Sequence, residues 1–240
     1  MAVSKIKALT FDVFGTVVDW RRTIIDEVTQ LAQKKEFTVD AARFADDWRA
    51  GYQPAMHRVR TGDLPWLNID ALHRVILDDL LDLHEIRGLS ESEKVHLNYV
   101  WHRLKPWADV RSGLERLRQS FTIATLSNGN VALLTNMAKN ADLRWDCILS
   151  AELSNHYKPD PEVYLKAAQL LGISPEETMM VAAHNSDLKG AKNVGFQTAF
   201  IYRPQEYGPT QTTDLEPGEH ADFAAKDFID LATQLETHTT

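Results

Sequence analysis

The sequence predicts an α/β fold, a doubly wound, Rossmann-like parallel sheet carrying an inserted helical cap subdomain. Three observations predict it. Short apolar runs alternate with helical patterns through the second half of the chain, which implies parallel strands covered by helices on both faces. The first apolar run ends on a carboxylate and then a glycine, as a buried strand entering a turn does. Between these parts, residues 20–105 lose the alternation and keep only helical periodicity. The expected organisation is therefore a core of residues 1–19 and 106–240 with a cap of residues 20–105.

Taken in order, IKALTFDV (Ile6 to Val13) is the first strand. The cap follows as TIIDEVTQLAQKK, VDAARFADDWRAGYQPAMHRV, IDALHRVILDDLLDLH and ESEKVHLNYVWHRL, each with apolar residues at three- and four-residue spacing. The chain re-enters the core through Lys105, Pro106 and Trp107. Later strands are read at Phe121 to Leu126, Cys147 to Leu149, Thr178 to Ala182 and Gln197 to Tyr202, with a last short one at Asp222 and Phe223. The helices between them are read at Val110 to Gln119, Val131 to Ala138, Pro161 to Leu171 and Leu188 to Val194, and a final one at Ala225 to Leu235. Pro161 suits a first helical turn. Residues 203–220, rich in Pro, Gly and Thr, read as a surface loop.

Composition narrows the partners. Lys+Arg 26 against Asp+Glu 34 gives a net charge of −8, which disfavours nucleic acid and anionic membrane surfaces. No stretch approaches the roughly 20 apolar residues of a membrane span, and the start has no long apolar leader, so a cytoplasmic address is expected. The single cysteine, Cys147, sits in an apolar run and reads as a core thiol.

In an open parallel sheet, ligands bind at the carboxyl ends of the strands. The polar residues directly after the apolar runs are Asp12 and Thr16, Ser127 and Asn128, Lys158, then His184, Asn185 and Asp187. Singly, each has an ordinary structural reading: a turn cap for Asp12 or Thr16, a plain turn at Ser127-Asn128-Gly129, a solvated charge at Lys158. Together, from four separate turns, they would converge on one pocket.

These residues lie in FDVFGT, LSNG, YKPDPEVY and HNSD, which stand in the order of the four signature motifs of the haloacid dehalogenase superfamily, and the resemblance covers nearly the whole chain. It implies a nucleophilic aspartate, here Asp12. Most of that superfamily are phosphatases, which place a second aspartate two residues after the nucleophile to protonate the leaving alkoxide and help hold magnesium. This chain has Phe14 there. Phosphatases also carry two aspartates four apart in the last motif, whereas Ala183 precedes Asp187 at that spacing. A halide leaves without a proton, so both substitutions favour the L-2-haloacid dehalogenase branch, acting without metal or other cofactor on a small haloacid.

The resemblance further implies a halide-binding arginine on a cap helix, matched by Arg49 in Trp48-Arg49, a lysine matched by Lys158, and a tyrosine matched by Tyr164, expected among the residues that bind substrate or halide. Asn128 would join Arg49 at the halide, Ser127 and Lys158 would hold the substrate carboxylate, and Phe14 with Trp66 would form an apolar wall. Asp187 would activate the water that hydrolyses the aspartyl ester. Where the branch commonly has an asparagine, this chain has His184, placed either for proton transfer or for a structural hydrogen bond. Similar enzymes are often homodimers, and the resemblance extends that expectation here. A magnesium-dependent phosphatase and a non-catalytic binding protein on the same fold are the alternatives.

Overall fold

In the computed structural model, which describes residues 5–239, the strands are β1 (Ala8–Phe11), β2 (Val18–Asp19), β3 (Lys105–Pro106), β4 (Thr122–Ser127), β5 (Cys147–Ser150), β6 (Thr178–Ala182), β7 (Gln197–Ile201) and β8 (Phe223–Ala225). Residues 1–4 and 240 of the expected core lie outside the described residues. Six strands form one sheet in the order β5-β4-β1-β6-β7-β8, and every pairing in it is parallel. The direction of winding reverses at β1, which pairs with β4 on one side and β6 on the other, with Phe11 opposite both Thr125 and Val181. Crevices at such reversal points receive ligands in doubly wound sheets. All of β1 is buried, because helices cover both faces of the sheet.

Residues 20–103 contribute no strand to that sheet. They form α1 (Trp20–Lys35), α2 (Ala41–Arg60), α3 (Ile69–Leu83) and α4 (Glu91–Asn98), then a 3₁₀ turn, Tyr99–Arg103. Side-chain caps start these helices: Asp19, Asp40, Asn68 and Ser90 each accept a backbone N–H of the first turn, an interaction worth about 1 kcal/mol apiece. The sequence pattern carries no sign of the small antiparallel pair β2–β3, which joins the two ends of this helical segment. Two residues per strand are too few to show a period.

The remaining helices are α5 (Val110–Leu117), α6 (Val131–Asn140), α7 (Pro161–Leu171), α8 (Asn185–Asn193) and α9 (Phe228–Thr239). α8 begins three residues earlier than its apolar pattern, and α9 three residues later. The helical segment is tied to the core at several points. Arg60, ending α2, pairs with Asp160 at 3.2 Å and donates to the carbonyls of Tyr157 and Lys158. Asp70 of α3 accepts from Asn130 at 2.9 Å, and buried His102, which pairs with Asp70 at 2.9 Å, meets Asn136 of α6 at 3.0 Å. No helix among the described residues is long and apolar enough to cross a membrane.

Candidate active site

Asp12 emerges just past β1 at the reversal of winding. Its Oδ1 accepts from Lys158 Nζ at 2.9 Å, while its Oδ2 accepts from Thr16 Oγ1 at 2.7 Å and from His184 Nδ1 at 3.1 Å. Thr16 is fixed in turn, since its hydroxyl accepts the Ala183 N–H at 2.9 Å. Lys158 Nζ also donates to Asp187 Oδ2, and Tyr164 donates to Asp187 Oδ1 at 2.6 Å. A Cβ at Gly190 would stand 2.7 Å from the Tyr164 hydroxyl, so a glycine there leaves room for it.

These groups are almost wholly buried, and their charges hold one another in place. Burial alone would push the Asp12 carboxyl up, but Lys158 and His184 outweigh it and keep Asp12 well below the usual carboxylate range. Burial opposes the Lys158 charge as well, and Asp12 with Asp187 more than restores it. Asp187 goes the other way: burial raises it, Lys158 pulls it down, and the Asp12 charge adds to the rise. Two carboxylates on one ammonium thus separate in character, one firmly ionised and the other disposed to take a proton.

His184 stands between two carboxylates. Its Nδ1 faces Asp12, and its Nε2 lies 3.1 and 3.0 Å from the two oxygens of Glu206. Glu206 is 1% exposed, although it belongs to the segment read from sequence as surface loop. That segment turns inward because Arg203 donates to the Thr16 carbonyl at 2.9 Å and clasps Asp109 with two bonds, at 2.9 and 2.8 Å. Gly15, at φ +85°, makes space: a Cβ there would lie 2.1 Å from Glu206 Oε1. The rule that collects polar residues after strand ends reaches Arg203 and Glu206 only when it is extended to β7.

A cleft of about 160 Å³ opens over Asp12, Lys158, His184 and Asp187, with Phe14, Arg49, Tyr52, Asn128, Tyr207 and Asp214 around it. It is smaller than the ~300–1,000 Å³ of drug-sized pockets. A larger hollow of about 650 Å³, lined by Arg111, Arg118, Arg144 and Asp146, gathers none of the strand-end residues. Arg49 projects from α2, its guanidinium carbon 4.8 Å from the Tyr52 ring centroid and 5.7 Å from that of Trp20. Asn128 Oδ1 accepts the Lys158 N–H at 2.6 Å, and its side chain also meets the Tyr52 hydroxyl and the Met56 sulfur, the latter at 3.6 Å.

Three expected contacts fall elsewhere. Tyr164 stands behind Asp187 rather than on the cleft wall. Ser127 is fully buried, its hydroxyl accepting the Gly129 N–H at 3.1 Å. Trp66 stacks on Tyr157, ring centroids 4.7 Å apart, and lines a separate hollow. Asn185 instead ties down the inward loop, donating twice to Asp214.

A divalent metal does not suit these residues. The carboxylates that would ligate it are engaged by an ammonium, an imidazole and two hydroxyls, Phe14 offers no side-chain oxygen, and a hard cation needs several anionic oxygens.

Residues 6–195 match the family model for haloacid dehalogenase-like hydrolases. The chain belongs to this family. Among curated members, it is 30% identical over 214 residues to (S)-2-haloacid dehalogenase 4A of Burkholderia cepacia, covering 85% of this chain and 88% of that one. The crystal structure of the L-2-haloacid dehalogenase PA0810 superposes with a TM-score of 0.94 at 45% identity, covering 97% of this chain and 99% of the other. That of the defluorinating L-2-haloacid dehalogenase Rha0230 gives the same TM-score and identity, covering 96% and 95%.

Proposed function

We propose that the chain is a hydrolytic dehalogenase that converts short 2-haloacids to 2-hydroxyacids and halide through an ester on Asp12. The observation that carries this reading is the state of Asp12: a firmly ionised carboxylate on the floor of a small cleft, with Phe14 where a phosphatase needs its acid. Names given to its relatives support the same chemistry.

Oδ2 of Asp12 already accepts two hydrogen bonds, whereas Oδ1 accepts from Lys158 alone. Oδ1 therefore keeps a lone pair for attack on C2 of the substrate. The halide leaves toward Arg49 and Asn128. The guanidinium of Arg49 makes ring contacts but no hydrogen bond among the described residues, so its donors are available to an anion. Lys158, which lines the cleft, is assigned to the substrate carboxylate, which leaves C2 facing the nucleophile. Water then attacks the ester carbon, with Asp187 as base held by Tyr164 and Lys158. The size of the cleft favours two- and three-carbon acids, haloacetates including fluoroacetate among them, and one similar enzyme is described as defluorinating.

In this reading residues 20–105 are a cap that supplies Arg49 and the apolar roof, residues 1–19 and 106–240 form the core, and the enzyme is a cytoplasmic homodimer with no nucleic-acid or membrane partner. The test is turnover of fluoroacetate, chloroacetate and 2-chloropropionate in ¹⁸O-water, followed by mass analysis of the Asp12 peptide. Heavy oxygen should enter that peptide, and EDTA should leave turnover unchanged. Label confined to the product, or phosphate release that requires Mg²⁺, refutes the reading.

A further inference from the structure

Glu206 has no part in the chemistry described so far, yet it is a buried carboxylate directed at the one histidine that touches the nucleophile. Its surroundings are specific. Both its oxygens lie within 3.1 Å of His184 Nε2, and Oε1 also accepts from Trp20 Nε1 at 3.0 Å. The Arg203 clasp on Thr16 and Asp109 fixes the turn that carries it. A ring with a carboxylate oxygen on each nitrogen forms both hydrogen bonds only when both nitrogens bear protons.

We propose that Glu206 is a positioning residue: it holds His184 as an imidazolium whose Nδ1–H, beside the Thr16 hydroxyl, forms the oxyanion pocket for ester hydrolysis at Asp12. This rests on the dehalogenase reading. After attack through Oδ1, Oδ2 is the carbonyl oxygen of the ester, and Thr16 and His184 are already within hydrogen-bond distance of it. Water bonds to Cγ, one of its protons passes to Asp187, and the carbonyl electron pair moves onto Oδ2. Collapse breaks the Cγ–Oδ1 bond, and Oδ1 departs on C2 as a hydroxyl, taking the proton back from Asp187. The second water proton is released to solvent as Asp12 regains its charge. His184 keeps both protons throughout, so it acts as a fixed donor where charge develops, the role in which preorganised donors act most strongly.

Ester formation is the step that makes Glu206 necessary. While Asp12 is ionised, two anions flank His184. Once Asp12 is esterified, that charge disappears, and Lys158 keeps Asp187 and the substrate carboxylate as its anions. Glu206 then alone offsets the cost of burying the imidazolium. The charge of Arg49 favours the ionised Glu206 carboxylate, and Asp214 and Tyr207 line the same cleft. Burial opposes the charge on His184, while Glu206 and Asp12 raise it well above its ordinary range.

The first test needs no turnover. In ¹⁵N-histidine NMR of the full chain, with His184→Asn to assign the signal, both ring nitrogens of His184 should stay protonated from about pH 6 to about pH 8. A neutral ring at pH 7 overturns the proposal. The second test is single-turnover deacylation of Glu206→Gln, which keeps an acceptor for the ring but removes the charge. Hydrolysis of the ester should fall by roughly 10-fold or more at pH 8 and recover towards pH 6, with Glu206→Asp restoring part of the loss. A uniform loss at every pH, or an unshifted profile, assigns Glu206 to folding alone and overturns the proposal. If the wild type releases no halide from any short haloacid, the dehalogenase reading falls, while the NMR result still decides the protonation of His184.

Discussion

Two histidines, one mostly buried on the core side of the cleft and one fully buried on the cap side, have opposite electrostatic surroundings. His184, at the end of β6, has a carboxylate on each ring nitrogen, and its charged form is favoured. His73, on α3, is 1% exposed, and neither of its ring nitrogens meets a partner among the described residues. It lies flat on Trp101, ring centroids 4.0 Å apart, near Phe14, Tyr52 and Trp48. Burial, helped by the charges of Arg49 and His102, pushes it well below its ordinary value. The same side chain is thus an ion on the floor and an apolar plate in the roof. Burial is common to both, so the paired carboxylates make the difference. The floor is organised to hold charges that react, and the roof to exclude water around one cation, Arg49.

If that division holds, the largest loss should come from the floor. Asp12→Asn removes the nucleophile and should lower halide release by a factor on the order of 10⁴ or more, with the fold unchanged by circular dichroism. Retained turnover would mean that water attacks the substrate directly and that the floor is not the reacting surface. Arg49→Lys, in the roof, should cost less, roughly 10²-fold in kcat/KM, because an ammonium keeps the charge but loses the planar fork and its packing on Tyr52 and Trp20. A loss as large as that of Asp12→Asn would place the roof within the chemistry itself. Tyr164→Phe should be milder, roughly 10-fold and confined to deacylation, since Asp187 loses one orienting bond and keeps Lys158.

Floor and roof also differ in how far the sequence discloses them. The floor residues sit at fixed offsets from short apolar runs, so Asp12, Thr16, Lys158 and Asp187 were all placed by their strand ends, and the structure brings them within hydrogen-bond reach of one another. The parallel sheet was legible for the same reason. Glu206 was not. Proline, glycine and threonine around it have the composition of a surface loop, and what turns the loop inward is a long-range clasp from Arg203 to Asp109, 94 positions away. No local pattern encodes such a pair. Arg49 was placed by resemblance, while Trp20, Tyr52 and His73 belong to ordinary amphipathic stripes whose meeting depends on how three cap helices pack. The sequence marks each helix as having an apolar face without stating which residues of that face meet.

The smallest expected effect lies in the roof and concerns stability. His73 is neutral in the native state, while in the unfolded chain it binds a proton near its ordinary value of 6.5. Below about pH 6.5 the unfolded state therefore takes up a proton that the folded state refuses, and stability falls with pH until the depressed native value is reached. His184 has the opposite sign. Its raised native value adds stability that is fully present below about pH 6.5 and is lost as pH rises through that raised value. His73→Phe keeps a flat ring against Trp101 and leaves the His73 backbone carbonyl, which accepts from Trp48 at 3.2 Å, in place. It removes two buried polar atoms, each costing about 1 kcal/mol or more when unsatisfied, against some crowding from the larger ring. The variant should be about 1 kcal/mol more stable at pH 7, and the margin should widen at pH 5, where the wild type alone pays for the buried imidazole. Urea melts at the two pH values measure both quantities. Lower stability at pH 7 together with an unchanged pH slope would mean that the ring nitrogens have partners after all, as a bound water would provide, and that the cap-side histidine is a second polar centre rather than part of the apolar roof.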